Sequence, residues 1–327
     1  MNFTADNIFS IQNDEQFTQL ALEIFKHQAT NCAVYAEYIL HLKINIDEVK
    51  DVTQIPFLPI SFFKTHSVLS SKNPIQLAFS SSGTTGMIQS SHQVTNVKLY
   101  EQSYLQAFHQ FYGAIEEYCF LALLPSYQQR AGSSLIYMVN DLIEKSKNPQ
   151  SGYFLYNHDE LFETLKDLKA KNQKTVLIGV TYALLDFIEQ YEINFPNLIV
   201  METGGMKGKR KEMVREELHE QLTKGFGIKA IHSEYGMTEL LSQAYSLGAG
   251  IFNCPKWMQV LIRDTNDPLS LIPQGRTGGI NVIDLANVNS CSFIATQDLG
   301  KIYPDGSFEV LGRFDNADIR GCNLLVQ

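Results

Sequence analysis

The hydroxyl-rich run SSSGTTG, residues 80–86, is the first stretch whose residue types could do chemistry. Glycines let a backbone turn tightly and present its N–H groups, and the hydroxyls of Ser82, Thr84 and Thr85 can donate to phosphate oxygens. Set between a strand and a helix, such a loop is a phosphate cradle; without a ligand it is a polar turn. It is not a Walker loop, since G-x-x-x-x-G-K-[ST] does not occur here. A second stretch, SEYGMTE (233–239), follows the apolar strand pattern KAIHS. A glycine turn at a strand's carboxyl end is where open α/β sheets bind ligands, and Glu239 offers a hard oxygen ligand for magnesium on a nucleotide. Its alternative is a turn leading into a helix capped by Thr238.

Two more stretches complete the set. In METGGMKGKRK (201–211), Gly204 and Gly205 allow a flat ring to lie against backbone. Lys207, Lys209, Arg210 and Lys211 then crowd an expected helix start, where the macrodipole disfavours cations. The run is a solvated face or an anion site. In TQDLG (296–300) and LGRFDNADIRG (311–321), Asp298 could accept from ribose hydroxyls while Arg313 donates to ribose or phosphate; singly, they are a surface turn and a surface charge. His92, just beyond the hydroxyl loop, could position a carboxylate or phosphate. His232 could line a pocket or be a satisfied core histidine. Cys322, close to Arg320, could be a nucleophile, because a nearby cation lowers a thiol's pKa and a chain end can reach a site; its other reading is a small buried hydrophobe. Cys119, inside CFLALL, reads as core.

These residues need elements to place them. Apolar spacing predicts two amphipathic helices between Asp14 and Leu42, and prolines 56 and 59 force an extended passage, IPFLPISFF. The chain then alternates in the α/β manner: strands are expected at 75–79, 119–125, 175–180, 198–203 and 229–233. Helices are expected at about 96–113, 133–144, 159–172, 181–191 and 207–224. The continuous apolar runs suit parallel strands covered on both faces. After Gly250 short β-like pieces separated by Gly, Pro, Asn and Asp indicate hairpins. The expected organisation is a helical segment (1–70) packed on an α/β nucleotide-binding core (71–250), followed by a β-rich lobe (251–327).

The 327 residues allow about two domains and a core large enough to fold without disulfides or structural metal. Hydrophobic residues make up 44% and charged residues 19%, which excludes disorder, collagen and coiled coil. No apolar run approaches a membrane span, and the N-terminus lacks signal-peptide character. The net charge of −9 argues against nucleic acid as the main partner but leaves room for a local anion site. Five scattered cysteines without a C-x-x-C pair point to a reduced, cytoplasmic setting and no zinc site.

In order, SSGTTG, a Gly-Gly strand end, YGMTE, a Thr-x-Asp and GRxD resemble the adenylate-forming superfamily of acyl-CoA ligases, luciferases and peptide-synthetase adenylation domains. FLPISFFKTHSV, SSSGTTGMIQSSH, EYGMTELLSQAYS and GRFDNADIRGCNLL resemble its acyl-protein synthetase branch, the fatty-acid-activating component of bacterial bioluminescence reductase complexes. The resemblance implies that Ser81, Ser82, Gly83, Thr84, Thr85 and Gly86 hold the phosphates of ATP. Gly204 and Gly205 would lie on the adenine side, Tyr235 would stack on adenine, and Gly236 would bind the nucleotide. Thr238 would contact the α-phosphate, Glu239 would hold magnesium, Asp298 the ribose and Arg313 the nucleotide. Asp315 falls on the hinge position. The implied fold has layered mixed sheets flanked by helices and a β-rich second lobe.

Two departures matter. Met87, Ile88 and Gln89 stand where the superfamily's phosphate loop continues with Pro and Lys. Phosphate neutralisation must therefore come from elsewhere, and the 207–211 cluster is one candidate. The chain also ends at Gln327, soon after Asp315, so the lid domain and its catalytic lysine are expected to be absent. The branch suggests a replacement, passage of the acyl group to a terminal cysteine, here Cys322. The expectation is ATP- and magnesium-dependent activation of a carboxylic acid, a fatty acid by resemblance, followed by transfer to Cys322 and onward to a reductase or other acceptor, with the analogy suggesting a complex. An acyl-CoA ligase of the phenylacetate type and a nucleotide-binding subunit without turnover are the alternatives.

Overall fold

Two runs of five consecutive buried residues, Cys119–Leu123 and Thr175–Gly179, form the strands at the heart of the molecule. Only strands covered on both faces tolerate such sequences. In this computed structural model residues 3–81, 88–126, 128–130, 132–204, 210 and 213–314 are described. Gly152–Tyr153, Cys119–Leu123, Thr175–Gly179, Leu198–Glu202 and His232–Tyr235 lie side by side in that order, all parallel. The chain crosses between them through helices Ser134–Ser146, His158–Ala170, Thr181–Ile188 and Arg215–Phe226. Each buries an apolar stripe, such as Leu161, Leu165 and Leu168, or Leu218, Leu222 and Phe226.

Beyond Tyr235 the sheet continues but its sense reverses. Ala244–Ser246, Ile251–Asn253, Phe308–Arg313, Phe293–Ile302, Thr277–Asp284 and Met258–Arg263 add in turn, each antiparallel to its neighbour. The parallel and antiparallel halves are thus one hydrogen-bonded sheet, joined where Tyr235 pairs with Ala244 and Phe252 with Ser246. Leu58–Pro59 adds in parallel to Phe293–Ile302, pinning the proline-rich passage to the antiparallel half. The extended reading of that passage stops short, because Phe62–Thr65 closes a helical turn.

The two N-terminal helices, Asp14–Asn31 and Ala33–His41, form as expected, the first capped by the Asn13 side chain on the Gln16 N–H. Gln28, fully buried, tethers that helix to the antiparallel half. Its amide donates to the carbonyls of Asn287 and Val288 at 3.2 and 3.0 Å, and its oxygen accepts from Ser292 N–H at 2.9 Å.

Three expectations need correction. The hydroxyl loop does not lead from a strand into a helix: Leu77–Ser80 before it pairs antiparallel with Ser91–Val94 after it in a separate ribbon. Alternation in the second strand, with His92 and Val94 inward, drives the pairing. The charged helix starts at Arg215, not at 207, leaving the basic run before it. No helix follows YGMTE; residues 236–243 are turn and loop. Among the described residues no helix is long and apolar enough to cross a membrane.

Replacing Gln28 with Leu strands a buried N–H and two carbonyls. Urea unfolding should show a loss of about 2–4 kcal/mol; a loss below about 0.5 kcal/mol would mean the tether carries no weight.

Candidate active site

The carboxyl end of His232–Tyr235 abuts the antiparallel half, and the site is built at that junction. Tyr235 is wedged edge-on against Phe252 and Phe308, with ring centroids 5.9 and 5.5 Å away. Its hydroxyl donates to Asp298 Oδ2 at 2.9 Å. Asp298 stands opposite Arg313 in the strand register, and Arg313 Nε lies 3.4 Å from Oδ1. The Asp298 side chain is 13% exposed and that of Arg313 is 70% exposed. An exposed ion pair contributes little to stability, so the guanidinium can turn to a ligand at small cost. Burial raises the pKa of Asp298, against the Tyr235 hydrogen bond and the charges of Arg313 and Arg263.

The turn after Tyr235 is held from three sides. The Thr238 carbonyl accepts from His92 Nδ1 at 2.8 Å, which requires the proton on that nitrogen. His92 is buried against the edge of Phe63, and burial lowers its pKa to about 4, so the ring is neutral at pH 7. The Asn287 amide donates to the Glu239 carbonyl at 2.8 Å and to the Cys291 carbonyl at 2.9 Å. Asp284, fully buried, accepts from the N–H groups of Leu241 (2.7 Å), Ser242 (2.9 Å) and Ala286 (3.1 Å) and from the Ser242 hydroxyl. Burial outweighs these four donors and lifts its pKa to about 6.

Glu239 is thereby presented, 5% exposed, at the foot of the hydroxyl loop. Ser90, its hydrogen-bond partner, closes that loop with Ser81: Ser81 N–H donates to the Ser90 carbonyl at 3.1 Å, and Ser90 N–H to the Ser81 hydroxyl at 2.9 Å. Burial raises the Glu239 pKa, while Ser90 and the charges of Arg313 and Lys64 oppose the rise. The structure therefore gathers Ser81, Tyr235, Gly236, Thr238, Glu239, Asp298 and Arg313 around one junction. Among the described residues no cluster of three or more His, Cys, Asp or Glu could hold a metal ion. A single carboxylate is nonetheless what magnesium needs when nucleotide phosphates and water complete its shell.

Lys64 and Glu202 escaped sequence reasoning. Lys64 directly follows the passage read as extended, and nothing local reveals that its charge reaches Glu239. Glu202 closes the strand Leu198–Glu202; Oε2 accepts from Thr181 Oγ1 at 3.2 Å and Gly204 N–H at 3.0 Å, and Oε1 from Ser233 Oγ at 2.9 Å. Burial pushes its pKa up, but His219, the Ser233 hydroxyl and the Gly204 N–H hold it below the usual carboxylate value. Glu202 thus fixes Gly204, whose φ of +76° suits glycine. An acid ending an apolar run was the available signal. Gly236 leaves room for its neighbour, since a Cβ there would lie 2.3 Å from Glu234 Oε1 and the carboxylate would have to shift. Burial and the Glu202 charge push Glu234 up to about 7.

Other expectations fare differently. Arg210 does not face an anion site: it is tied to Asp186 and Glu189, with Nη1 2.6 Å from Glu189 Oε1. His232 is engaged by the Tyr112 hydroxyl at 3.1 Å. Cys119 is core, with burial pushing its thiol up to about 11. Ser82, Gly83, Thr84, Thr85, Gly86, Gly205, Lys207, Lys209, Lys211, Asp315, Arg320 and Cys322 lie outside the described residues.

A histidine that folding keeps neutral below its ordinary value of 6.5 makes stability fall as pH drops from 6.5 towards about 4. Replacing His92 with Phe should remove up to one proton's worth of that slope, about 1.4 kcal/mol per pH unit. Unfolding wild type and variant across this range reads the difference, and identical slopes would show that His92 is not buried neutral.

Several known proteins are similar to this chain. The family model for the LuxE acyl-protein synthetases matches residues 5–327. A long-chain-fatty-acid–luciferin-component ligase of Photorhabdus luminescens is 31% identical over 88 residues, 26% of this chain and 75% of that protein. ATP-bound MatB from Rhodopseudomonas palustris superposes with a TM-score of 0.54 at 18% identity, covering 74% of this chain and 49% of that one. A 2-hydroxyisobutyryl-CoA ligase, in complex with 2-HIB-AMP and CoA, gives 0.67 at 11% identity, covering 93% and 68%. The chain thus spans about half the length of MatB, and at these identities the likeness is one of fold, that of the adenylate-forming ligases. The ordered motifs, the fold and the match along nearly the whole sequence agree: this chain belongs to the LuxE acyl-protein synthetase family.

Proposed function

We propose that the chain activates a carboxylic acid, with fatty acids as the substrate class, by ATP-dependent adenylation and then passes the acyl group to a thiol. The observation that carries this reading is the junction cluster. Tyr235, Asp298 and Arg313 are bonded together at a strand's carboxyl end, with Glu239 turned towards the foot of the hydroxyl loop. These residues come from separate segments, in the order the ligases use. Asp298 would accept from the ribose hydroxyls, and Arg313 would give up its exposed pairing to donate to the nucleotide. Glu239 would hold magnesium, whose role when bound is to neutralise phosphate charge. Lys64 and Arg313 add positive field at the same place.

The first step joins a carboxylate oxygen to the α-phosphorus of ATP and releases pyrophosphate. In the second, a thiolate attacks the acyl carbon and AMP leaves with the bonding electrons. Catalysis is positioning together with stabilisation of developing charge by fixed donors. Cys322 is the thiol proposed. Burial raises the pKa of Cys32, Cys119, Cys254 and Cys291, the opposite of what a nucleophile needs. An acyl reductase is the proposed onward acceptor, in a reduced, cytoplasmic setting.

Pyrophosphate–ATP exchange across fatty, aryl and short-chain acids tests the first step. Exchange is expected with fatty acids, and Glu239→Gln should slow it on the order of 10²–10³-fold. Silence with every acid would refute activation, and ATP binding without exchange would favour a nucleotide-binding subunit. Cys322→Ser should keep exchange while abolishing labelled acyl-enzyme; acyl-enzyme that persists, or rapid acyl-CoA formation, would reassign the acceptor.

A further inference from the structure

The strand Met258–Arg263 ends on a guanidinium to which the adenylation and transfer steps give no role. Arg263 is 7% exposed, and among the described residues its hydrogen-bond acceptors are all neutral. Nη1 donates to the Ile280 carbonyl at 2.7 Å and to Asn281 Oδ1 at 2.8 Å, and Nη2 donates to the Thr296 carbonyl. The fork exploits an irregularity: the register between Thr277–Asp284 and Phe293–Ile302 shifts between Gly279 and Asn281, which exposes the Ile280 carbonyl. Gly279 leaves the slot open, since a Cβ there would lie 2.5 Å from Arg263 Cζ. On its other side the guanidinium lies 5.4 Å from the centroid of Phe314, the residue after Arg313. Phe314 N–H in turn donates to the Gln297 carbonyl at 2.7 Å, one residue before Asp298.

A buried guanidinium with only neutral acceptors is an expensive way to fill a slot, and an apolar side chain of similar volume would stabilise the fold as well or better. The acid whose charge bears on Arg263 is Asp298; the phenols of Tyr235 and Tyr38 face it too. We propose that Arg263 is the positioning residue of the nucleotide clamp: it supplies the buried counter-charge of Asp298, and its fork and stack hold residues 296–298 and Phe314 so that Asp298 and Arg313 meet the nucleotide together. This rests on the proposed nucleotide site.

The surroundings of Asp298 support a distinct role for each arginine. Tyr235 approaches from His232–Tyr235, Arg313 from Phe308–Arg313 and Arg263 from Met258–Arg263, with Cys254 beyond Tyr235 and Tyr38 beyond Arg263. Arg313 is largely exposed, so solvent and salt screen it, and it must swing to the ligand. Among the described residues, Arg263 alone offers Asp298 a positive charge out of water. Removing it pushes the Asp298 pKa further up, so ATP affinity should fail at a higher pH on acidification.

The test compares full-length wild type, Arg263→Met and Arg263→Lys. ATP binding is titrated calorimetrically across the acid range, and the Asp298 carboxyl is followed by ¹³C NMR without ligand, assigned with Asp298→Asn. In Arg263→Met the KM for ATP should rise about tenfold or more while kcat falls less, and both the acid limb of binding and the Asp298 midpoint should move up by about one pH unit or more. Arg263→Lys keeps the charge but loses the fork, so it should bind ATP more weakly with the midpoint near that of wild type. A fall in kcat and Tm with KM, limb and midpoint unmoved would overturn the proposal and leave Arg263 a packing residue. If Arg263→Met does not fold, Gly279→Ala displaces the guanidinium without removing it and should raise KM and the midpoint together; an unmoved midpoint overturns the proposal. If wild type binds no ATP, the nucleotide reading fails, whereas the ligand-free midpoint still decides the link between Arg263 and Asp298.

Discussion

One buried carboxylate organises the junction on which the site depends. Asp284 ends the strand Thr277–Asp284 in the antiparallel half, and it takes the N–H groups of Leu241 and Ser242 from the segment leaving the parallel half. A loop that crosses between two sheet regions carries backbone donors no strand can satisfy, and buried donors must find acceptors. Asp284 meets that demand with one side chain and also caps its own turn through Ala286. The indole N–H of Trp257 reaches the Ser242 hydroxyl at 3.0 Å, extending the network to Ser103. With the loop fixed from below by Asp284, His92 and Asn287 hold the carbonyls of the Thr238–Glu239 turn above it.

The site shows how burial is set against charge. Asp298 and Glu239 are both carboxylates driven upward by loss of water, and both lie within reach of Arg313. Each would cost more to keep ionised without the cations nearby. Arg313 serves two acids from the solvent side, Lys64 adds its charge from a half-buried position, and Arg263 acts from within the protein. An anionic ligand with a magnesium ion would rebalance this arrangement rather than create it. His92 contributes differently, since its value to the turn is a neutral ring with one proton aimed at one carbonyl.

Three strands of the parallel half, Cys119–Leu123, Thr175–Gly179 and Leu198–Glu202, were legible because their signal is local. CFLALL, TVLIGV and LIVME are continuous apolar runs, and helices between them show the matching 3.6-residue stripe. Residue pairs brought together from distant segments were not legible. Lys64 beside Glu239, Glu202 beneath Gly204 and Asp284 beneath Leu241 have no periodicity to announce them. The hydroxyl loop misled for a related reason: SHQV is a short alternating strand that can be told from a helix lead-in only when Phe79 is seen paired with His92. Of the basic run at 207–211 only Arg210 is described, and its partners, Asp186 and Glu189, lie on another helix and its cap, where no local pattern announces them.

The sequence by itself determined the fold class, the order of the motifs and the residue types able to bind a nucleotide, because these depend on period, turn chemistry and side-chain inventory. Only the tertiary structure decided which of those residues face one another and in what charge state. That depends on desolvation and on distances of a few ångströms between segments far apart in the chain. Tyr235, Asp298 and Arg313 were each visible as letters; that the phenol donates to the acid while the acid shares two arginines is a property of the folded sheet alone.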